Sequence, residues 1–439
     1  MNAQAEDRAT GPLRLWLAVA LVVLVHLAGA TMVSRFMAYP SAIDERGHAS
    51  LVLALAERPT WFPDYPALRM ADGHDVASVD GPADALRPVW SWTAEPNYIN
   101  HPAFYYRAMA TLLGPGPSFE AQVQGLRTAN IALSTLAAGL TAWALLTLLG
   151  TGFAGLCAAV MSLAFPKLAV VGGMINNDNA AQLAAALVLC GVACRRRWLT
   201  WGLIALALVL AGWTKLTALV ALGSVVLVLV VVRPVGMASP GRLGSVLLGL
   251  ALALAVVPYG VNLARVGVLV PVSSATFYVE PVARRVLDPL GFLEFFVHWI
   301  ALKWAPFEPA SRWQIAGLWA ILAAFAAAVV ASLRAGAGSD RTRTAVSMTL
   351  AAAAGLAVIF VAHGVFGWRS YVALGDLTTP QLRYYGVLWP FLCACLGAWL
   401  VQVTTRATRE ARAGAVFSAI WVLGLLMPAV PLVAIVLMI

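Results

Sequence analysis

Two adjacent acids and a histidine follow the first apolar stretch of the chain. In "DERGHASLVLALAE", Asp44 and Glu45 stand side by side, and His48 comes four residues after Asp44. The apolar residues that follow have helical spacing, so Asp44 and His48 are predicted to share one face of a helix. An ionised carboxylate held close to a hydroxyl can act as a general base. The competing interpretation is structural, with Ser41 or Asp44 capping the helix beside a solvated acid.

The rest of the chain is mostly apolar. Of its 439 residues, 61% are hydrophobic and 11% are charged, whereas soluble domains carry about 25% charged residues. This composition predicts an all-α, polytopic membrane protein and excludes an ordinary soluble enzyme. The net charge of +9 therefore informs topology rather than nucleic-acid binding. The five cysteines lie in apolar runs without metal-ligand spacing, so no zinc site and no disulfide framework are predicted.

Apolar stretches long enough to cross a bilayer recur along the whole sequence. About eleven transmembrane helices are predicted from them, near 14–36, 121–149, 152–171, 179–194, 198–214, 216–232, 243–265, 313–333, 344–363, 383–402 and 414–438. They form a single predicted membrane domain over residues 1–439, with no separate soluble domain. The first stretch also has features of a cleaved signal peptide, although its apolar run is long enough to span.

Basic residues indicate the orientation of these spans. With the N-terminus in the cytoplasm, the loops on that side carry many arginines and few acids. Three outer loops then fall at about 37–120, 266–312 and 364–382. The first is rich in proline, tryptophan and tyrosine, and it is predicted to form amphipathic helices on the outer membrane face. Its tryptophans could stack on a sugar or anchor the chain at the interface; they are Trp61, Trp90 and Trp92.

Five stretches, in this order, resemble the GT-C class of membrane glycosyltransferases, which includes protein O-mannosyltransferases and lipid A aminoarabinose transferases. They are the acidic pair at 44–45, "HPAFYY" at 101–106, "GGMINNDNAAQLAAALVL" at 172–189, "GWTKLTALVAL" at 212–222 and "TTPQLRYYGVLWPFLCACLG" at 378–397. In the second stretch, Ala103 and Phe104 stand where the family's His-Pro-Pro-Leu-Tyr-like motif has proline and leucine.

The resemblance implies an inverting transfer of a sugar from a polyprenyl-phosphate donor to a hydroxyl on the outer face of the membrane. Asp44 would be the catalytic base, and Glu45 would orient the acceptor or bind a cation. The residues expected to bind the donor phosphate or the substrate are His101, Lys215, Arg383, Tyr384, Asn177 and Asp178. The acceptor (a glycan, a lipid or a protein) and the sugar are left open. No cofactor and no metal site are predicted, and the use of a divalent metal is also left open.

Each of these predicted binding residues could instead have a purely structural role. Lysine and arginine side chains snorkel to membrane interfaces, which would explain Lys215 and Arg383 without any ligand. His101 stands before a proline and could simply form a turn. Asn177 and Asp178 stand at a predicted helix start, where both residue types are favoured caps.

Other functions remain open at this point. A transporter or flippase of lipid-linked substrates would be expected to show internal repeats and ionisable groups near the midplane, which the sequence does not show. A polymerase or ligase of cell-surface polysaccharide would use similar donors, and an assembly subunit would need no acidic pair. The alanine- and arginine-rich composition indicates a bacterial cytoplasmic membrane.

Overall fold

The computed structural model describes residues 3–41, 44–77, 86–113, 118–165, 168–271, 340–374 and 382–406, with a few single positions between 289 and 330. The predicted spans near 313–333 and 414–438 lie largely or wholly outside these residues. Most of the predicted loop at 266–312 also lies outside them.

The described chain is mostly helical. Its helices are α1 (Ala3–Phe36), α2 (Glu45–Glu57), α3 (Phe104–Ala110), α4 (Phe119–Leu149), α5 (Phe153–Met161), α6 (Leu168–Gly172), α7 (Asp178–Ala193), α8 (Arg197–Gly212), α9 (Leu216–Val231), α10 (Gly241–Val266), α11 (Asp340–Leu374) and α12 (Trp389–Arg406). Two strands, β1 (Arg69–Ala77) and β2 (Leu86–Pro96), lie between α2 and α3.

Five apolar helical segments in the described part are long enough to cross a membrane. They are Pro12–Phe36, Phe119–Leu149, Gly241–Val266, Arg343–Trp368 and Arg383–Val401. Three further apolar helices, α7, α8 and α9, are shorter. The protein is therefore a multi-pass membrane protein, as predicted, while the number of about eleven spans stays a prediction.

Helix α4 packs against α1 and α7, and α7 packs in turn against α8. The chain of contacts continues from α8 to α10 and from α9 through α11 to α12. Helix α7 is rich in alanine and almost wholly buried. Its small side chains let the neighbouring helices approach it closely, as is common inside membranes. The bundle places the start of α7 and the turn between α8 and α9 at the same end.

Several predicted boundaries change. The span predicted at 152–171 is divided into α5, a 3-10 turn at Ser162–Ala164 and α6. The predicted loop at 364–382 begins as helix, because α11 continues to Leu374.

The predicted loop at 37–120 contains a β-hairpin, so the all-α prediction is wrong in this segment. Strands β1 and β2 pair antiparallel, with Ala71 opposite Trp92 and Gly73 opposite Trp90. The aromatic residues of "VWSWT" stand at alternate positions, which is the period of a strand and not of an amphipathic helix. Aromatic and β-branched residues also favour strands.

The hairpin is held against the helices by specific contacts. Trp90 packs edge-on against Phe119 at the start of α4, with ring centroids 4.9 Å apart, and its Nε1 donates to Gln122 at 2.9 Å. On the other side, Arg46 of α2 donates to Asp72 at 2.7 Å and to Glu95 at 2.6 Å. These contacts fix α2, and with it the acidic pair, relative to the bundle.

Candidate active site at the end of the helix bundle

Four separate segments bring acids and cations together at the end of the bundle where α7 begins. Asp44 directly precedes α2, and Asp178 is the first residue of α7. Lys215 stands in the turn between α8 and α9. Arg383 and Tyr384 lie in the 3-10 helix Leu382–Leu388, which leads into α12. All five residues were predicted site residues, and the structure places them in contact with one another.

Asp44 faces this cluster. Its Oδ1 accepts a hydrogen bond from the Tyr98 hydroxyl at 3.0 Å, and its Oδ2 forms an ion pair with Arg383 Nη2. Its backbone is left-handed, with φ 57° and ψ 15°, a conformation that aspartate tolerates better than most residues. Its side chain accepts no capping hydrogen bond, so the capping interpretation is wrong. The side chain is 23% exposed, so a ligand can reach it.

Asp178 contacts both cations. Lys215 Nζ donates to its Oδ1 at 2.5 Å, and Arg383 Nε lies 3.5 Å from its Oδ2. All three side chains are buried. Buried charges are strongly unfavourable unless they are paired, so each of these groups stabilises the others in the buried cluster.

Tyr384 lies beside the two cations. Lys215 Nζ is 4.0 Å from the centre of its ring, and Arg383 Cζ is 5.6 Å from it. Both distances are within the range of cation–π attraction. Tyr384 therefore helps to hold the two positive groups near each other.

The local sequence explains how the turn carrying Lys215 is held. Gly212 ends α8 so close to α10 that a Cβ there would collide with Ala255. Asn177 Nδ2 donates to the backbone oxygen of Thr214 at 3.0 Å, which ties the start of α7 to the same turn. Asn177 makes no side-chain capping bond, so its predicted capping role is wrong. An acid in the first turn of α7 is favoured by the helix dipole.

Two histidines lie next to this cluster. The rings of His48 and His101 stack with centroids 6.2 Å apart, and His48 Nδ1 is hydrogen-bonded to the Tyr106 hydroxyl at 2.8 Å. Burial lowers the pKa of both imidazoles well below the ordinary value, and the positive charges of Arg383 and Lys215 lower it further. Both rings are therefore neutral near pH 7, and His101 lies near enough to the two cations to feel their charge.

Tyr98 is a donor to the carboxylate of Asp44. Burial and the negative charge of Asp44 raise the pKa of the Tyr98 hydroxyl above its ordinary value. The hydroxyl therefore keeps its proton and its hydrogen bond to Asp44 at physiological pH.

Glu45 has a different environment from its neighbour. It is fully buried, and Arg127 donates to both carboxylate oxygens, at 2.8 and 2.7 Å. The backbone N–H groups of Ser41 and Ile175 also donate to it, at 3.0 and 3.2 Å. Arg127 in turn donates to backbone oxygens at the end of α1. Glu45 thus joins α2 to α1, α4 and the segment before α7.

Sequence reasoning missed two residues of this arrangement, Arg127 and Tyr98. Arg127 is a single charge inside the predicted span 121–149, and an ionisable residue inside a span calls for a partner. That signal was available, although it does not identify Glu45 as the partner. Tyr98 stands in an aromatic-rich loop, where nothing distinguishes it from its neighbours.

The cluster contains equal numbers of negative and positive side chains. Two carboxylates face two cations, and the carboxylates occupy the positions on the cations that an anionic ligand would take. The arrangement can hold an anion once a carboxylate moves aside, and Asp44 can accept a proton once it leaves Arg383.

Among the residues that the structure describes, no group of three His, Cys, Asp or Glu side chains is placed to hold a metal ion.

Comparison with solved structures found a remote likeness. The crystal structure of ArnT from Cupriavidus metallidurans bound to undecaprenyl phosphate aligns with 92% of this chain and 82% of that chain, at 17% sequence identity and a TM-score of 0.35. At this TM-score the alignment carries no conclusion about this chain. No protein-family model and no curated protein matches the sequence.

Proposed function

We propose that this protein is a membrane glycosyltransferase that moves a sugar from a polyprenyl-phosphate donor to an acceptor hydroxyl. The observation that carries the proposal is the convergence of Asp44, Lys215 and Arg383 at one end of the bundle, from segments far apart in the sequence. A base beside two cations suits a displacement in which the acceptor loses a proton while negative charge develops on a leaving phosphate.

The reaction would be a single displacement at the anomeric carbon. The acceptor oxygen forms a bond to that carbon while its proton passes to the Asp44 carboxylate. The bond from the anomeric carbon to the phosphate oxygen breaks, and its electron pair leaves with the phosphate. Arg383 and Lys215 stabilise the charge that develops there. Attack from the face opposite the leaving group inverts the configuration of the sugar.

Donor binding would also activate the base. Arg383 is paired with Asp44, so a phosphate that binds to Arg383 competes with that carboxylate. Once displaced, Asp44 keeps the hydrogen bond from Tyr98 and is free to accept the proton of the acceptor. The base is then available only when the donor is in place.

The remaining site residues have supporting roles in this proposal. His101, kept neutral, can donate one hydrogen bond to a phosphate oxygen. Tyr384 and Asp178 hold the two cations in position, and Asn177 holds the turn that carries Lys215. Glu45 is proposed as a positioning residue, because its carboxylate is fully engaged by Arg127 and two backbone N–H groups.

The proposal is tested by transfer in reconstituted liposomes. The full-length protein is incubated with a cell-envelope extract and with two classes of donor. The first class is undecaprenyl phosphate that carries tritiated mannose, glucose, arabinose or aminoarabinose, and the second is a tritiated oligosaccharide linked to undecaprenyl diphosphate. The expected result is transfer of label from at least one donor, with loss of transfer in Asp44→Asn. If a diphosphate-linked oligosaccharide is the only donor consumed, the polymerase or ligase alternative is correct. If no donor is consumed and undecaprenyl phosphate does not bind, the proposal is wrong.

A further inference from the structure

A second concave surface lies beyond the far end of α2. This hollow has a volume of about 460 Å³, within the range of about 300–1,000 Å³ typical of small-molecule sites. Its walls are the last turns of α2, the segment at 58–69 and Trp92 of β2. None of the residues of the candidate active site lines it.

Trp92 is the exposed aromatic surface of this hollow. Trp90 lies two residues earlier on the same face of β2 but is packed against Phe119. Trp92 is 40% exposed, and its Nε1 donates to the two carboxylate oxygens of Glu57 at 3.3 and 3.2 Å. These bonds fix the orientation of the indole ring. A rigid aromatic face beside a carboxylate suits a sugar ring, whose C–H face can stack while its hydroxyls bond to charged groups.

The charged groups around the hollow balance. Glu57 and Asp64 are acidic, Arg58 and Arg69 are basic, and the Thr60 hydroxyl adds a neutral donor and acceptor. A wall with equal numbers of carboxylates and guanidinium groups does not select an anion or a cation. It does offer many hydrogen-bonding positions to a neutral ligand that is rich in hydroxyls.

Two elements that line the hollow, α2 and the segment at 58–69, also contact the candidate active site. Helix α2 begins beside Asp44 and ends at Glu57, a distance of about 18 Å at 1.5 Å per residue. On the other wall, the Tyr65 hydroxyl donates to the backbone oxygen of His101 at 2.9 Å. An extended molecule bound at Asp44 could therefore also occupy the hollow.

We propose that this hollow binds a neutral saccharide portion of the acceptor, with Trp92 stacking on a sugar ring and Glu57 bonding to its hydroxyls. The inference rests on the proposed glycosyltransferase function and specifies a glycan as the acceptor class. An acceptor held at both places is positioned by contacts remote from the reacting hydroxyl, which is how binding energy orients a reaction.

The test measures saccharide binding without transfer. Purified full-length protein in nanodiscs is titrated with neutral hexasaccharides (maltohexaose, cellohexaose, chitohexaose and α-1,6-mannohexaose), and binding is followed by saturation-transfer NMR. At least one probe is expected to bind. Trp92→Ala should weaken that binding about tenfold, and Glu57→Gln should weaken it less. Trp198→Ala is the matched control, since Trp198 is an exposed tryptophan at the start of α8.

Asp44→Asn separates this inference from the proposed function. It should abolish transfer and keep saccharide binding, because Asp44 does not line the hollow. The inference is overturned if no hexasaccharide binds, if Trp92→Ala and Glu57→Gln both bind the probe as tightly as the wild type, or if a neutral hexapeptide binds in its place. Trp92-dependent binding in a protein that transfers from no donor and does not bind undecaprenyl phosphate would overturn the glycosyltransferase function and leave a saccharide-binding hollow.

Discussion

The ion pair between Asp44 and Arg383 is the contact that a donor phosphate would have to open. Asp44 is partly exposed, and its ion pair is therefore weaker than a fully buried one. The phosphodiester of the donor carries one negative charge and two non-bridging oxygens, as a carboxylate does, and it can engage Arg383 in a bidentate manner. Exchange of one anion for the other at Arg383 therefore keeps both the charge balance and the geometry of the contact.

Asp44→Asn should lower kcat by about 10²–10⁴-fold, because the amide cannot accept the acceptor proton. The same substitution should leave the affinity for undecaprenyl phosphate equal to that of the wild type or higher, since the competing negative charge on Arg383 is gone. Asparagine also tolerates the left-handed backbone at this position. Transfer rates and direct phosphate-lipid binding, measured on the same preparation, check both expectations.

The matched control is Glu120→Gln, which removes an exposed acid at the start of α4. It should change neither the transfer rate nor the affinity for undecaprenyl phosphate. Loss of lipid affinity in Asp44→Asn, at unchanged thermal stability, would contradict the competition between Asp44 and the donor phosphate.

The buried pair of Glu45 and Arg127 should be required for stability rather than for chemistry. Arg127→Leu leaves an unpaired buried carboxylate and should lower the free energy of unfolding by about 3–5 kcal/mol. The double variant, which also carries Glu45→Leu, should recover most of that loss. Denaturant unfolding in detergent measures both.

Arg46→Gln is the comparison for this pair, because Arg46 bonds to the exposed acids Asp72 and Glu95. It should cost about 1 kcal/mol or less. A single Arg127→Leu variant as stable as the wild type would show that the buried pair does not hold these elements together.

At the scale of elements, α2 connects the two candidate binding surfaces. Its first residue is held by Arg127 of α4, its middle packs against α3, and its last turn lines the hollow. His48 on α2 and His101 before α3 lie between the two helices. The position of Asp44 therefore depends on the packing of α2 against α3.

The two histidines should make this packing sensitive to acid. Burial holds the pKa of His101 well below its unfolded value of about 6.5. As the pH falls through 6.5, the unfolded chain therefore binds protons before the folded protein does, and stability that is full above this pH is lost below it. The melting temperature should fall between pH 7.5 and 5, and less steeply in His101→Gln. The exposed His74 of β1 provides the control, His74→Gln, which should melt like the wild type.

The sequence predicts the individual helices better than their contacts. Predicted spans at 179–194 and 216–232 match α7 and α9 within about one residue, because continuous apolar runs mark a membrane helix clearly. The hairpin was missed because its two strands lie in a loop whose aromatic content suggested an interfacial helix. The break between α5 and α6 was missed although the sequence carries a signal for it. Pro166 stands inside the predicted span, and proline interrupts a helix.

The sequence identified the residues of the site, but it did not show which of them form ion pairs with one another. Asp44 and Arg383 are 339 residues apart, and which carboxylate meets which cation depends on how the helices pack. The partner of Glu45, which is Arg127, also depends on how the helices pack. Local spacing does not distinguish Glu45 from Asp44, whereas the structure gives one acid an exposed position and the other a buried partner.

At the scale of the whole molecule, the predicted topology places the candidate site and the hollow outside the cell. Ala56→Cys on the exposed side of α2 should react with a membrane-impermeant maleimide in intact cells, in a background with the native cysteines replaced by alanine. Val235→Cys, between α9 and α10, should react only after lysis, because its loop carries the basic residues expected in the cytoplasm. The opposite labelling pattern would reverse the orientation and place the site in the cytoplasm.

The most direct measurement of the central claim is a cryo-electron microscopy structure of the full-length protein in nanodiscs with undecaprenyl phosphate bound. The account predicts the phosphate within about 4 Å of both Arg383 and Lys215, with Asp44 released from Arg383 and facing the space beside it. A phosphate bound elsewhere, with the Asp44–Arg383 pair intact, would contradict it.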